Sequence, residues 1–146
     1  MTTTAAPPAL APPYAGSRLV RCAGYLIILI GAAHLAAALA LTAPEHAVDW
    51  FSRGVWGEDL DAMSPAHGAY WLTFGSFGPL QVVVGALVLW LDRRGLVPPT
   101  FIAWTLAANA VLCGVIFGPA PWPVDLVAAA LLLVAAHRAE REAVTA

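Results

Sequence analysis

His34, Gln81 and Asn109 stand inside otherwise apolar runs of the chain, and any chemistry would have to begin there. A hydrogen-bonding group inside a bilayer is costly unless paired, so such residues mark a functional site or a bond between helices. Counted from the arginine-rich ends of their apolar segments, they lie roughly 13, 10 and 11 residues deep. At 1.5 Å per residue their depths agree to within about 5 Å. The spacing predicts a hydrogen-bonded cluster at the centre of a helical bundle. That cluster could lock helix register. It could instead form the polar floor of a pocket for a lipid, quinone or similar hydrophobic molecule. A third reading leaves His34 satisfied by a backbone carbonyl.

Other chemistries have less to stand on. His46, His67 and His137 fall at or beyond the ends of the apolar runs, so His34 lacks a second axial partner for haem. His46 and His67, with Glu45, Glu58, Asp59 and Asp61, show no metal-ligand spacing and read as solvated loop charges. Ser64, Thr73 and Ser76 have no histidine–carboxylate pair with which to form a triad. Cys22 and Cys113 form no CxxC; about 15–20 Å apart along the membrane normal, they read as structural thiols. No Asp or Glu is expected at mid-depth, which argues against proton-coupled exchange of the small multidrug type. Asp125, in the first turn of the last span, reads as a charge facing the positive end of the helix dipole. No catalytic residue, metal or cofactor is therefore expected.

The elements that would position these side chains are four apolar helices. The first span covers about 19–42, after an uncharged Thr-, Ala- and Pro-rich tail over 1–17 that reads as disordered. Its apolar part is too long for a signal peptide's core and is expected to be retained. The second span covers about 65–91, started by the cap-and-proline pair Ser64-Pro65, with a kink expected at Pro79. Spans three and four cover about 99–118 and 123–138, joined by the stiff link Gly118 to Pro123, and a short tail follows over 139–146. Between the first two spans an outer loop, 43–64, holds an amphipathic helix over 44–53 that Gly54 would stop.

Small residues mark the expected packing seams. Gly24, Gly31 and Ala38 share a stripe with His34, and Gly78 and Gly85 align with Gln81. The third span carries Ala103, Ala107, Ala110, Gly114 and Gly118, with Asn109 offset by one position. That last stripe could serve packing within the bundle or a homodimer.

Composition fits the medium. Of 146 residues, 60% are hydrophobic and 11% charged, against roughly 25% charged in a soluble domain. Mean hydropathy is +0.76. Arg18, Arg21, Arg93, Arg94, Arg138 and Arg141 fall on one side of the spans, whereas the first loop holds Arg53 among five acids. Positive-inside bias then places both termini in the cytoplasm. Tryptophans such as Trp50, Trp56, Trp90 and Trp122 lie near span ends, as an interfacial belt requires. A net charge of -2 implies no nucleic-acid partner. The absence of lysine, together with abundant alanine, suggests a GC-rich bacterial coding bias.

The order of these features resembles a bacterial family of small four-helix membrane proteins, domain-of-unknown-function family number 6463. The likeness runs through Gly31-Ala32-Ala33-His34, Arg53-Gly54, Tyr70-Trp71, Phe74-Gly75 and Gly85. It continues through Trp90, Arg93-Arg94-Gly95, Pro99, Trp104, Pro119 and Trp122, and covers about Arg18 to His137. Ala120-Pro121 replaces the family's usual Ser-Gly type turn. The resemblance implies an architecture and brings no known activity.

The expectation is an all-α, polytopic protein of the cytoplasmic membrane, four transmembrane helices in an up-down bundle with the lipid bilayer as its medium. Its role is read first as structural or partner-binding without catalysis, the protein partner being unknown. The alternative is a binder or carrier of a small hydrophobic molecule in a pocket lined by His34, Gln81 and Asn109. The sequence ranks these two by a simple criterion: a cavity of several hundred cubic ångströms reaching His34 would favour the binder.

Overall fold

A computed structural model describes residues 17–118 and 122–145; the tail over 1–16, the link Pro119-Ala120-Pro121 and Ala146 lie outside the described residues. Five helices follow in order: α1 (Arg18–Phe51), α2 (Pro65–Leu72), α3 (Phe77–Arg93), α4 (Thr100–Phe117) and α5 (Trp122–Thr145). Four segments are long and apolar enough to cross a membrane: α1, the α2–α3 pair taken together, α4 and α5. The chain is thus an all-helical protein of four candidate spans. Its outward faces suit lipid: Leu29, Leu80, Val83, Val115 and Ile116 each expose more than half of their area.

Helix α1 is longer than the sequence suggests, because it continues through Pro44 rather than ending before a separate helix over 44–53. Pro44 removes the donor for the Ala40 carbonyl and crowds that oxygen, yet the helix carries on past it. Beyond it, Trp50 Nε1 donates to the Ala66 carbonyl at 2.7 Å, which anchors the overhanging end of α1 to α2. The helix ends at Ser52, and Arg53 takes the left-handed conformation (φ 67°) one residue before the expected Gly54 stop. The Gly54 amide then bonds back to the Asp49 carbonyl.

The second span is two helices. Ser64 Oγ accepts from the His67 amide and Pro65 fills the first turn of α2, but the helix stops at Leu72. Pro79 explains the stop. It has no amide hydrogen for the Gly75 carbonyl and its ring would crowd that oxygen, so a continuous helix is disfavoured. Instead of kinking at Pro79, the chain breaks over 73–76 and restarts at Phe77, placing Pro79 in a first turn where its missing donor costs nothing. The break is well bonded: Thr73 Oγ1 donates to the Ala69 carbonyl, Ser76 Oγ donates to the Thr73 carbonyl, and Ser76 Oγ accepts from the Gly78 amide.

Helix α1 is the hub, packing against α3 on one side and α5 on the other, while α4 makes its backbone contacts with α5 alone among the described helices. The approach of α1 to α3 is set by two glycine pairs seven residues apart in antiparallel register. A Cβ on Gly31 would meet the Gly78 oxygen at 2.6 Å, and a Cβ on Gly85 would meet the Gly24 oxygen at 2.8 Å. Close backbone approach of this kind replaces the hydrophobic drive that lipid removes. Gly114 makes room on α4 for a side chain instead: a Cβ there would meet the Trp122 ring of α5 at 2.9 Å. Gly118 has a different role. Its φ of +72° ends α4, and nothing among the described residues comes within 4 Å of where its Cβ would be.

The packed core sits toward the arginine-rich end, where Val20, Ala23 and Ile27 of α1 meet Val88, Ile102, Ala103, Ala128 and Leu132. At that end Asp92, nearly buried, accepts from the Ser17 amide at 2.8 Å and lies 3.8 Å from the Arg21 guanidinium. Toward the acidic-loop end the helices are less tightly filled.

Candidate functional site: a cavity between α1, the broken span and α4–α5

Where the core ends, a partly enclosed cavity of about 390 Å³ begins. Helix α1 contributes Ile30 and His34, and the break contributes Leu72, Ser76 and Phe77. Helix α4 contributes Asn109, Ala110, Cys113 and Phe117; α5 closes it with Trp122 and Asp125. The cavity follows from the fold: α4 has no backbone contact with α1 or α3, and the break at 73–76 interrupts the second span beside it. Its wall is mostly apolar, with a few polar atoms from different helices.

His34 is fixed by the break. Its Nε2 lies 3.1 Å from the Leu72 carbonyl. A carbonyl only accepts, so Nε2 carries the hydrogen, and Nδ1 of the neutral ring is an acceptor. In a continuous helix the Leu72 carbonyl would be taken by the Ser76 amide, which here bonds to Thr73 instead. His34 thus satisfies an acceptor that the proline-driven break releases. Its ring also tilts against Phe77 at a centroid distance of 4.3 Å.

Gln81 takes a partner from a different helix than expected. Its Nε2 donates to Asp125 Oδ1 across 2.5 Å, both side chains being 7% exposed. Gln81 Oε1 is buried without a partner among the described residues. Asn109 lines the cavity, is solvent-accessible and has no side-chain hydrogen bond among the described residues. His34 and Asn109 therefore share the cavity, Gln81 stands beside it through Asp125, and no hydrogen bond joins the three directly.

Asp125 is the residue that sequence reasoning misplaces. Read as a charge at the outer interface, it is instead buried at the level of Gln81, so a carboxylate does lie within the bundle. The signal is present in Trp122-Pro123 and Asp125 opening the last helix. Depth counted from the helix end alone misses it, because a helix can begin well inside a bundle whose neighbours extend past it.

Outside the cavity, the loop residues form a separate small network. Glu58 Oε2 accepts from the Ser64 amide at 3.0 Å and lies 3.1 Å from His67 Nδ1. Hydrogen bonds from the Ser64 backbone and hydroxyl, then from His67, hold the Glu58 carboxyl below its ordinary value. This network secures the start of α2. Among the described residues no group of three or more His, Cys, Asp and Glu side chains is placed to hold a metal ion.

No curated protein and no solved structure matches the chain. A family described as being of unknown function, DUF6463, matches residues 18–140, from the first residue of α1 into the last turns of α5. With nearly all of the helical bundle covered by that match, the chain belongs to the DUF6463 family.

Proposed function

We propose that this membrane protein binds a small, largely apolar molecule in the cavity bounded by His34, Asn109 and Asp125. One observation carries the reading: the space reaches about 390 Å³ and touches polar atoms from three separate spans. Small-molecule sites commonly occupy roughly 300–1,000 Å³ of mainly apolar wall with a few placed polar groups. The structural alternative accounts for the glycine seams and for His34 bonded to Leu72. It gives no reason for an unfilled volume beside Asn109 and Asp125. The arginine bias supports a cytoplasmic-membrane setting with both termini inside, so the cavity belongs to the outer half of the bundle.

The reading is tested by native mass spectrometry of the full chain in neutral detergent with 1-dodecanol as a neutral probe. A one-to-one adduct is expected, and Cys113→Phe, which fills the cavity from α4, should weaken it. Equal retention by the filled variant, or no adduct with the natural chain from either this alcohol or its amine counterpart, would overturn the proposal.

A further inference from the structure

We propose that the guest of this cavity is a lipophilic amine in its ammonium form, with the Asp125 carboxylate as its counter-charge. The inference rests on the binding reading above and names its ligand class. A carboxylate within a membrane span is expensive to keep and is rarely placed without use. Asp125 is on the cavity wall, yet its only hydrogen bond among the described residues comes from Gln81 Nε2. An ionised carboxylate has about four lone-pair sites, so most of its accepting capacity is left for a donor from the cavity side.

The surrounding groups match an N–H-rich cation. Behind Asp125 and off the cavity wall, Gln81 Oε1 is a second buried acceptor without a partner among the described residues. Asn109 offers its amide oxygen from α4, and the His34 ring offers Nδ1 once Nε2 is committed to Leu72. No arginine or lysine lines the cavity, so nothing there would repel an ammonium or serve an anionic head. The positive end of α5 faces Asp125, but a helix dipole is diffuse and supplies no mobile donor. Phe77, Phe117 and Trp122 add aromatic faces of the kind that attract cations. Ile30, Leu72 and Ala110 remain for an alkyl chain.

A matched pair of probes separates this inference from the one it rests on. Dodecylamine and 1-dodecanol differ only in the head, and the full chain in neutral detergent at pH 7 is titrated with each by native mass spectrometry. The amine should bind at least about tenfold more tightly, the equivalent of a 1.4 kcal/mol preference. Asp125→Asn should remove that preference, and Asp125→Glu should retain it. Binding of the alcohol as tightly as the amine overturns the amine assignment while leaving the cavity reading in place. A preference that survives Asp125→Asn overturns it too. Failure of both probes to bind ends both proposals. Should Asp125→Asn fail to fold, the ratio measured on the natural chain still decides.

Discussion

Replacing Gly31 by alanine adds a single carbon where α1 and α3 come closest, and the structure sets the scale of the damage. That Cβ would sit 2.6 Å from the Gly78 carbonyl oxygen and 3.0 Å from Gln81 Cβ. Both obstacles are backbone or stem atoms that cannot swing away. To restore an ordinary contact of 3.4 Å the helices must part by about 0.8 Å. His34 lies one turn further along α1, and shifting α1 by that amount pulls its Nε2 away from the Leu72 carbonyl of α2, now 3.1 Å distant. Overpacking costs about 1–3 kcal/mol, and the lost interhelical bond adds about 0.6. Alanine returns about 0.5–1 through helix propensity. The expected net loss is about 1–3 kcal/mol. It is read by reversible unfolding in mixed micelles with increasing SDS, followed by far-UV circular dichroism. Gly68→Ala is the control, because nothing lies within 4 Å of its Cβ position; it should gain stability. A Gly31→Ala chain as stable as the natural one would refute the close-approach argument.

His34→Leu should cost about 1–2 kcal/mol in the same assay, since it orphans the Leu72 carbonyl at the break; an unchanged midpoint would remove His34 from that role. Asp92→Ala should cost about 2 kcal/mol by stripping the Ser17 amide and Arg21 of their partner, with amide exchange rising first at the start of α1. Gly114→Leu should loosen α4 from α5 by driving a side chain into Trp122, without changing oligomer size in detergent; a smaller particle would mean that the α4 stripe joins two copies. The loop should depend on pH through Glu58. Its carboxyl titrates below the ordinary 4.5 when folded, so its contribution is complete above that value and fades as pH falls through the lower one. Amide exchange at Ser64 and His67 between pH 6 and 3 should show the loss, and Glu58→Gln should flatten it.

Much of the architecture is local information. Apolar runs long enough to cross a bilayer need no tertiary context to be seen, nor does the Ser64-Pro65 start of α2, because capping and proline chemistry act within a turn. Small residues at Gly24 and Gly31, or Gly78 and Gly85, are also visible by their spacing, but which glycine faces which is decided only when two helices dock. Pro79 is legible as a disturbance. Its outcome is not, since a kink and a break differ by whether Thr73 and Ser76 can bond the released backbone. The site is less local still. His34 meets Leu72 only because that break frees a carbonyl, and Gln81 meets Asp125 only because α5 begins beside the start of α3, at the middle of the second span. Depth counting along separate segments brings residues to one level, but carries no information about azimuth.

Entry of a guest molecule into the space beside His34, Asn109 and Asp125 can be followed at Cys113, a thiol on the cavity wall. In a Cys22→Ser background, the rate of Cys113 modification by N-ethylmaleimide is followed with and without saturating 1-dodecanol. Occupancy predicts that the alcohol slows the reaction in step with its own binding curve. A rate that stays the same at saturation would show that the alcohol binds elsewhere and that this space takes no guest.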